Sequence, residues 1–430
     1  MFKKLFCLCV TLFTLLITEN VTASDVLRIA VVENQSTAEV SCEGEFSVMD
    51  VAGNITVLPA GKYFLHEKEG RLAFDNEHSF VGRVIIKAPL DTVLPEVNKH
   101  SYKGELVFSL SEGKILAVNN IDLETYLASV LPAKTMVVWP DEVIKAQAVA
   151  ARSYALYMKR QNRYKPYDLS SNDNELDYEG TGMLIEKAAV TTFIEVTSGQ
   201  YLVNSDGLPI KAVTTSSSGG RTESAWNLWG KRFSYLQSVE DYDRDSPDYE
   251  WEYRVTPAIL ENLLAQRGYG LGKLNSIRLS PLKEKGADRT PTGRVKYLIV
   301  VGSLGSAKIS GEELAQLINL KSTLFDLETA TPVPETLKVP IENRYGMEMG
   351  SKDIGIKVNR NDEPVWKNLV QSYHMLSGGK GEKIIFTGKG KGTGVGLSAW
   401  GARGMVLANE NITYNTILMH YYPNTKLRYR

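Results

Sequence analysis

Cysteine is scarce in this chain: three residues in 430, two of which, Cys7 and Cys9, fall within the first 24. If that leading segment is removed only Cys42 is left, so no internal disulfide can brace the fold. A surplus of charge is missing too, with 49 Lys and Arg against 50 Asp and Glu and a formal net charge of −1. Such a surface has no field for a polyanion, which argues against nucleic acid or an anionic membrane as partner. The five histidines, His66, His78, His100, His374 and His420, are isolated, with no pair at the short spacing of a metal-ligand set. No Gly-x-Ser-x-Gly frame, phosphate loop or dinucleotide fingerprint occurs, and no internal repeat is visible. No metal and no other cofactor is therefore expected.

Long apolar runs are also lacking, since the longest, at 5–17, is too short to span a bilayer, which takes about 20 residues. Preceded by Lys3 and Lys4 and followed by Val21-Thr22-Ala23, it reads as an export signal over 1–23. Removing it takes away Lys3, Lys4 and Glu19 and leaves 47 basic against 49 acidic residues, a net of −2. The expected location is the periplasm or another extracytoplasmic part of the envelope, with no transmembrane span after cleavage.

Residues 24–113 alternate short β-type runs such as "VLRIAVV" and "GRVIIKAP" with turn signals, which predicts a β-rich N-terminal region. The longest helix is predicted from Pro140 or Asp141 to about Arg160. Its alanines at 146, 148, 150, 151 and 155 let backbone approach on all sides, so it is expected at the centre of its domain. A polar loop follows over 164–179, then β-type runs in "AAVTTFIEVTSGQYLV" and "PIKAVTTSSSGG", helical periodicity in "TPAILENLLAQRGYG" and "SGEELAQLINL", and a buried strand in "GRVKYLIVVGS". The fold class is α+β. A core is expected over 114–330 and again over 382–430, with 331–381 as an insertion or irregular lobe.

Three clusters could carry chemistry. On the central helix Lys145 and Arg152 are seven apart and share a face, as do Gln147 and Tyr154. In "TTSSSGGRTESAWNLWG", serines followed by Gly219 and Gly220 allow backbone to approach a ligand, and Arg221, Thr222 and Glu223 add donors and a carboxylate. In "GKGKGTGVGLSAWGARGM", six glycines precede Arg403 around Trp400, a composition suited to a sugar or peptide platform.

Together the motifs resemble the SpoIID/LytB family of the bacterial envelope. The stretch 120–156, "NIDLETYLASVLPAKTMVVWPDEVIKAQAVAARSYAL", is similar to that family's Leu-x-x-Tyr-Leu, connecting segment, Trp-Pro-x-Glu and Lys-Ala-Gln-Ala-x-Ala-Ala-Arg helix. "SSSGGRTESAWNLWG", "LKSTLF", "GTGVGLSAWGARGM" and "YNTILMHYYPNTKL" resemble its later motifs in the same order. The resemblance implies an exported protein acting on peptidoglycan glycan strands. Its activity would be that of a lytic transglycosylase or, in the alternative, of a non-catalytic enhancer of a cell-wall amidase. Substrate contacts would fall on Gln147, Arg152, Ser217, Ser218, Gly219, Gly220, Thr222, Trp229, Gly394, Gly396, Ser398, Trp400 and Gly401.

Glycoside cleavage needs a carboxyl to protonate the leaving oxygen. Catalytic members carry a Glu in a Ser-Glu-Met-Pro context before the central helix. Alignment on Trp139-Pro140 puts Lys134 at that position, with Thr135 and Met136 after it. Lysine, with a reference pKa of about 10.4, is a poor general acid near neutrality. The family's usual His and Gln in the glycine-rich motif are Thr393 and Ala399 here, and the Cys and His of some members' zinc site are missing from "YDLSSNDNELDYEG". Catalysis would then fall to Glu223 or Glu142, or be lost while the scaffold still binds glycan.

Overall fold

The computed structural model describes residues 25–75, 77–87, 93–134, 139–172, 177–181, 188–284, 286–332, 336–342, 348–355, 365–367 and 372–430. The expected signal at 1–23, Thr135, Met136 and much of 331–381 lie outside them. The architecture is α+β, and the chain forms two compact units, 1–137 with 151–199 and 138–150 with 200–430.

In the first unit a seven-stranded sheet runs in the order 169–170, 26–35, 114–122, 105–111, 84–87, 46–49, 55–58. Strand Val26–Gln35 pairs antiparallel with Lys114–Asp122, and Leu27 and Ile29 point into the core with no exposed surface. Burying side chains of this size contributes about 1.5–3 kcal/mol each. A six-stranded sheet, in the order 100–101, 96–97, 37–42, 61–68, 71–74, 78–80, completes the β-rich part. The turn at Gly104 has φ of +85° and leaves no room for a side chain, since a Cβ would lie 2.2 Å from the Asn120 carbonyl oxygen.

Two helices replace expected extended chain. The Leu-x-x-Tyr-Leu motif and the connecting segment as far as Lys134 form helix α1, Leu123–Lys134. Asp122 caps it, its Oδ1 accepting from the Glu124 and Thr125 amides at 3.0 Å each. Leu123, Tyr126, Leu127, Val130 and Leu131 form one buried stripe at helical spacing. The run "AAVTTFIEV", rich in β-branched residues, is helix α3, Ala188–Val196, packed on α1. Val190 and Ile194, four apart, are buried, so packing of that stripe overrides the β propensity of the residues. Between them in sequence comes α2, Asp141–Gln161, whose five alanines at 146, 148, 150, 151 and 155 are all buried as expected. Its residues up to Ala150 belong to the second unit and those from Ala151 to the first.

The second unit contains two four-stranded antiparallel sheets, ordered 250–255, 383–389, 325–332, 365–367 and 305–310, 297–302, 274–278, 373–375. Helices α4 (Ala225–Trp229), α5 (Pro257–Gln266) and α6 (Gly311–Leu317) precede α7 (Ala399–Ala408) and α8 (Tyr414–Tyr421). Its core joins Leu260 and Leu264 of α5, Leu314 of α6, and Ile277, Leu298, Phe325 and Phe386 of the sheets. The region 331–381, expected to be an insertion or irregular lobe, contains the edge strands Val365–Lys367 and Tyr373–Met375 and the hairpin Thr336–Glu342 with Glu348–Gly355. The expected strand in "PIKAVTTSSSGG" shrinks to Thr214–Thr215, which pairs parallel with Leu397–Ser398. Strand Gln200–Val203 pairs with Lys426–Tyr429 and holds the last residues in this unit.

Candidate functional site

The short parallel pairing of Thr214–Thr215 with Leu397–Ser398 brings the serine-rich and glycine-rich motifs side by side. Ser217 and Lys391 exchange both backbone hydrogen bonds, at 3.1 and 2.8 Å, and the Glu223 amide donates to the Gly394 carbonyl at 2.7 Å. The side chains of this loop turn inward. Ser217 donates to Asp243 and Ser218 to Asp241, both at 2.5 Å, while the Gly219 and Gly220 amides donate to the two oxygens of Asp243 at 2.8 and 2.9 Å. Thr222 accepts from the Val239 amide at 2.8 Å. The loop is thus a cradle around two aspartates that sequence reasoning missed. Their signal was Asp241-Tyr242-Asp243, in which carboxylates two apart fall on one side of an extended segment.

Asp241 is held above the ordinary carboxylate range, first by burial and then by the charge of Asp243, against the pull of hydroxyls from Ser218 and Tyr421. Tyr421 donates to it at 2.6 Å and is itself pushed well up, by burial first and Asp241 second.

Glu223 is completely buried. Its Oε1 accepts from the Ser224 amide at 2.7 Å and from Asn227 Nδ2 at 2.9 Å, and its Oε2 accepts from the Thr292 hydroxyl. Nearby Arg294, also with no exposed surface, donates from Nη2 to the Ser218 carbonyl at 2.8 Å. Burial brings Arg294 down to about 10, while Glu223 and Asp243 draw it the other way. Its Nε and Nη1 make no hydrogen bond among the described residues. Gly394 makes room for it: with φ of +76°, a Cβ there would sit 2.0 Å from Nη2. One buried guanidinium therefore lies near two buried carboxylates, Glu223 and Asp243.

The aromatic residues are more accessible. Trp400, half-buried, donates its amide to the Ser216 carbonyl at 3.0 Å and meets Trp139 edge-on at 5.4 Å between ring centres. The Arg403 guanidinium lies 5.3 Å from the Trp400 ring centre, Lys211 4.8 Å from that of Trp229, and Arg232 4.6 Å from that of the exposed Trp226. Ser398 caps α7, accepting from the Gly401 amide at 3.2 Å. Gly396 holds a positive φ of 79° in the same motif.

Gln147 is buried in the second unit, its Oε1 without a hydrogen-bond partner among the described residues. Arg152, expected with it among the substrate contacts, belongs to the first unit and forms a two-point ion pair with Glu124, at 2.7 and 2.6 Å. Lys145, of the second unit, pairs with Glu142 at 2.6 Å. The other oxygen of Glu142 accepts from the Tyr414 amide at 2.6 Å, the first N–H of α8. Lys134 is the last residue of α1, and its side chain lies outside the described residues. Among the described residues no group of three His, Cys, Asp or Glu side chains is placed to hold a metal ion.

The fold and this cluster define a mixed α+β protein built around a buried carboxylate–guanidinium core that serine- and glycine-rich segments enclose. A family profile described as Stage II sporulation protein matches residues 111–204. The chain is 26% identical over 330 residues to an uncharacterized protein of Brachyspira hyodysenteriae, covering 76% of this chain and 72% of that one. It is 23% identical to stage II sporulation protein D of Bacillus subtilis, over 72% of this chain and 76% of that protein. To the amidase enhancer of Bacillus subtilis it is 24% identical over 91% of its own length, spanning about half (53%) of that larger protein. The profile match over 111–204 and these relatives support membership of the SpoIID/LytB family.

Proposed function

We propose that this protein is exported and binds the glycan strands of peptidoglycan without cutting them, serving cell-wall remodelling as a scaffold beside an amidase. The observation that carries this reading is the state of the two candidate acids. A general acid must reach the leaving oxygen and deliver a proton to it. Glu223 is wholly enclosed with donors on both oxygens, and Glu142 is engaged by Lys145 and by the first amide of α8. Meanwhile Trp226, Trp229 and Trp400 keep exposed or half-exposed rings, the kind of apolar surface that packs against the C–H faces of sugars. The partner is supported by the relative called an amidase enhancer, and export by the basic and apolar residues of 1–23.

The test is to incubate the mature protein with purified, peptide-free glycan strands and analyse retention and products by mass spectrometry. Retention without products, weakened in Trp400→Ala, is the expected result. Anhydro-muropeptide products abolished by Glu223→Gln would make the protein a lytic transglycosylase instead, and absence of retention would remove the binding claim.

A further inference from the structure

Helix α4 carries Trp226 and Trp229, three residues apart and therefore neighbours on its surface. Trp226 is 49% exposed and Trp229 partly so. Gly230, with φ of +67°, ends the helix and turns the chain into Lys231 and Arg232. Arg232 comes back over the Trp226 ring, 4.6 Å from its centre, while Lys211, from the chain before the serine-rich loop, lies over Trp229 at 4.8 Å. Both tryptophans of α4 are thus topped by a cation.

The charge of this surface is uncompensated. Over 207–239 the only carboxylate is Glu223, which is completely buried and bonded to its own donors. Among the described residues neither Lys211 nor Arg232 forms an ion pair or a side-chain hydrogen bond, and neither indole N–H of α4 finds an acceptor. The whole chain has a formal net charge of −1, so the excess is local.

An indole face attracts a cation but uses none of its N–H bonds, which stay available to an acceptor. A neutral sugar could pack on the rings and would leave the cations unpaired. An acidic peptide could pair with the cations and would leave the rings bare. A sugar that bears a carboxylate uses both halves of the surface.

Resting on the reading of the protein as a glycan binder, we propose that Lys211 and Arg232 are specificity-determining residues for an acidic sugar of the strand. They pair with its carboxylate while Trp226 and Trp229 pack against its C–H face. In peptide-free strands that group is the lactyl carboxylate of N-acetylmuramic acid.

The test titrates four probes into the full chain by calorimetry: peptide-free glycan strands, the same strands with their carboxylates converted to neutral methylamides, chitohexaose, and pentaglutamate. Loss of charge-assisted hydrogen bonds predicts that the methylamide strands bind about tenfold more weakly than the acidic ones. Chitohexaose should behave like the methylamide strands, and pentaglutamate should bind more weakly than the acidic strands. In the double variant Lys211→Gln, Arg232→Gln the ratio of acidic to methylamide affinity should fall to near one. Equal binding of the two strand forms by the unaltered protein, or an unchanged ratio in the double variant, would overturn the assignment and leave the glycan reading standing. Pentaglutamate bound as tightly as the acidic strands would make the surface a site for acidic peptide instead. Absence of binding to every glycan probe would overturn both the assignment and the glycan reading.

Discussion

Replacing Gly394 by alanine tests whether the buried cluster sets the conformation of the glycine-rich loop. At φ of +76° an L-residue is strained by about 1–2 kcal/mol. The new methyl would also lie 2.0 Å from Arg294 Nη2 and 2.4 Å from Cζ, far inside van der Waals contact. Arg294 has no exposed surface into which it can withdraw, and its Nη2 is tied to the Ser218 carbonyl. Forcing a methyl into a filled site costs about 1–3 kcal/mol more. Gly207 supplies the control, because it has nearly the same φ, +74°, and a methyl added there would meet nothing within 4 Å. Gly207→Ala should therefore lose only the strain term. Urea unfolding followed by circular dichroism would measure both variants, and Gly394→Ala should be the less stable by about 1–3 kcal/mol. Equal losses would mean that Arg294 yields freely and that the cluster does not hold the loop.

Three further outcomes follow from the same contacts. Glu142→Ala removes the carboxylate from the first amide of α8 and should cost about 1 kcal/mol, as loss of a helix cap does; an unchanged urea midpoint would show that the contact contributes nothing. Asp241 has a folded pKa above its ordinary value of 3.8, so the native state holds its proton more tightly than the unfolded chain. That contribution is full below 3.8 and is lost as pH rises through the folded value, so the wild type should lose stability across this window relative to Asp241→Asn. Parallel stability–pH curves for the two proteins would refute the assignment. Glu223→Gln keeps one acceptor oxygen but removes the charge beside Arg294, and thermal or urea unfolding should register a loss of about 1.5–3 kcal/mol.

Much of the fold was legible because it rests on local pattern. The alanine run of α2, the periodicity of α5 and α6 and the apolar strand Tyr297–Gly302 announce themselves within a few residues. Helix α1 carried its own signal, the Asp122 cap followed by buried positions at 123, 126, 127, 130 and 131, which was read only as a Leu-x-x-Tyr-Leu motif and connecting chain. Helix α3 was hidden for a different reason, since Val190, Thr191, Thr192 and Ile194 favour strands and become helical by packing Val190 and Ile194.

By itself the sequence determined the α+β class, the order of the motifs and the presence of serine, glycine and glutamate where family resemblance expects them. Only the tertiary structure decided what those residues do. Ser217, Ser218, Thr222 and Glu223 point inward, because Asp241, Asp243 and Arg294, distant in the chain, supply the partners that buried polar groups require. Gln147 and Arg152, five apart on one helix, fall in different compact units, and Arg152 finds its partner in Glu124. The reason is physical: spacing reports which face of an element a residue occupies, whereas burial and pairing depend on chain that arrives from elsewhere.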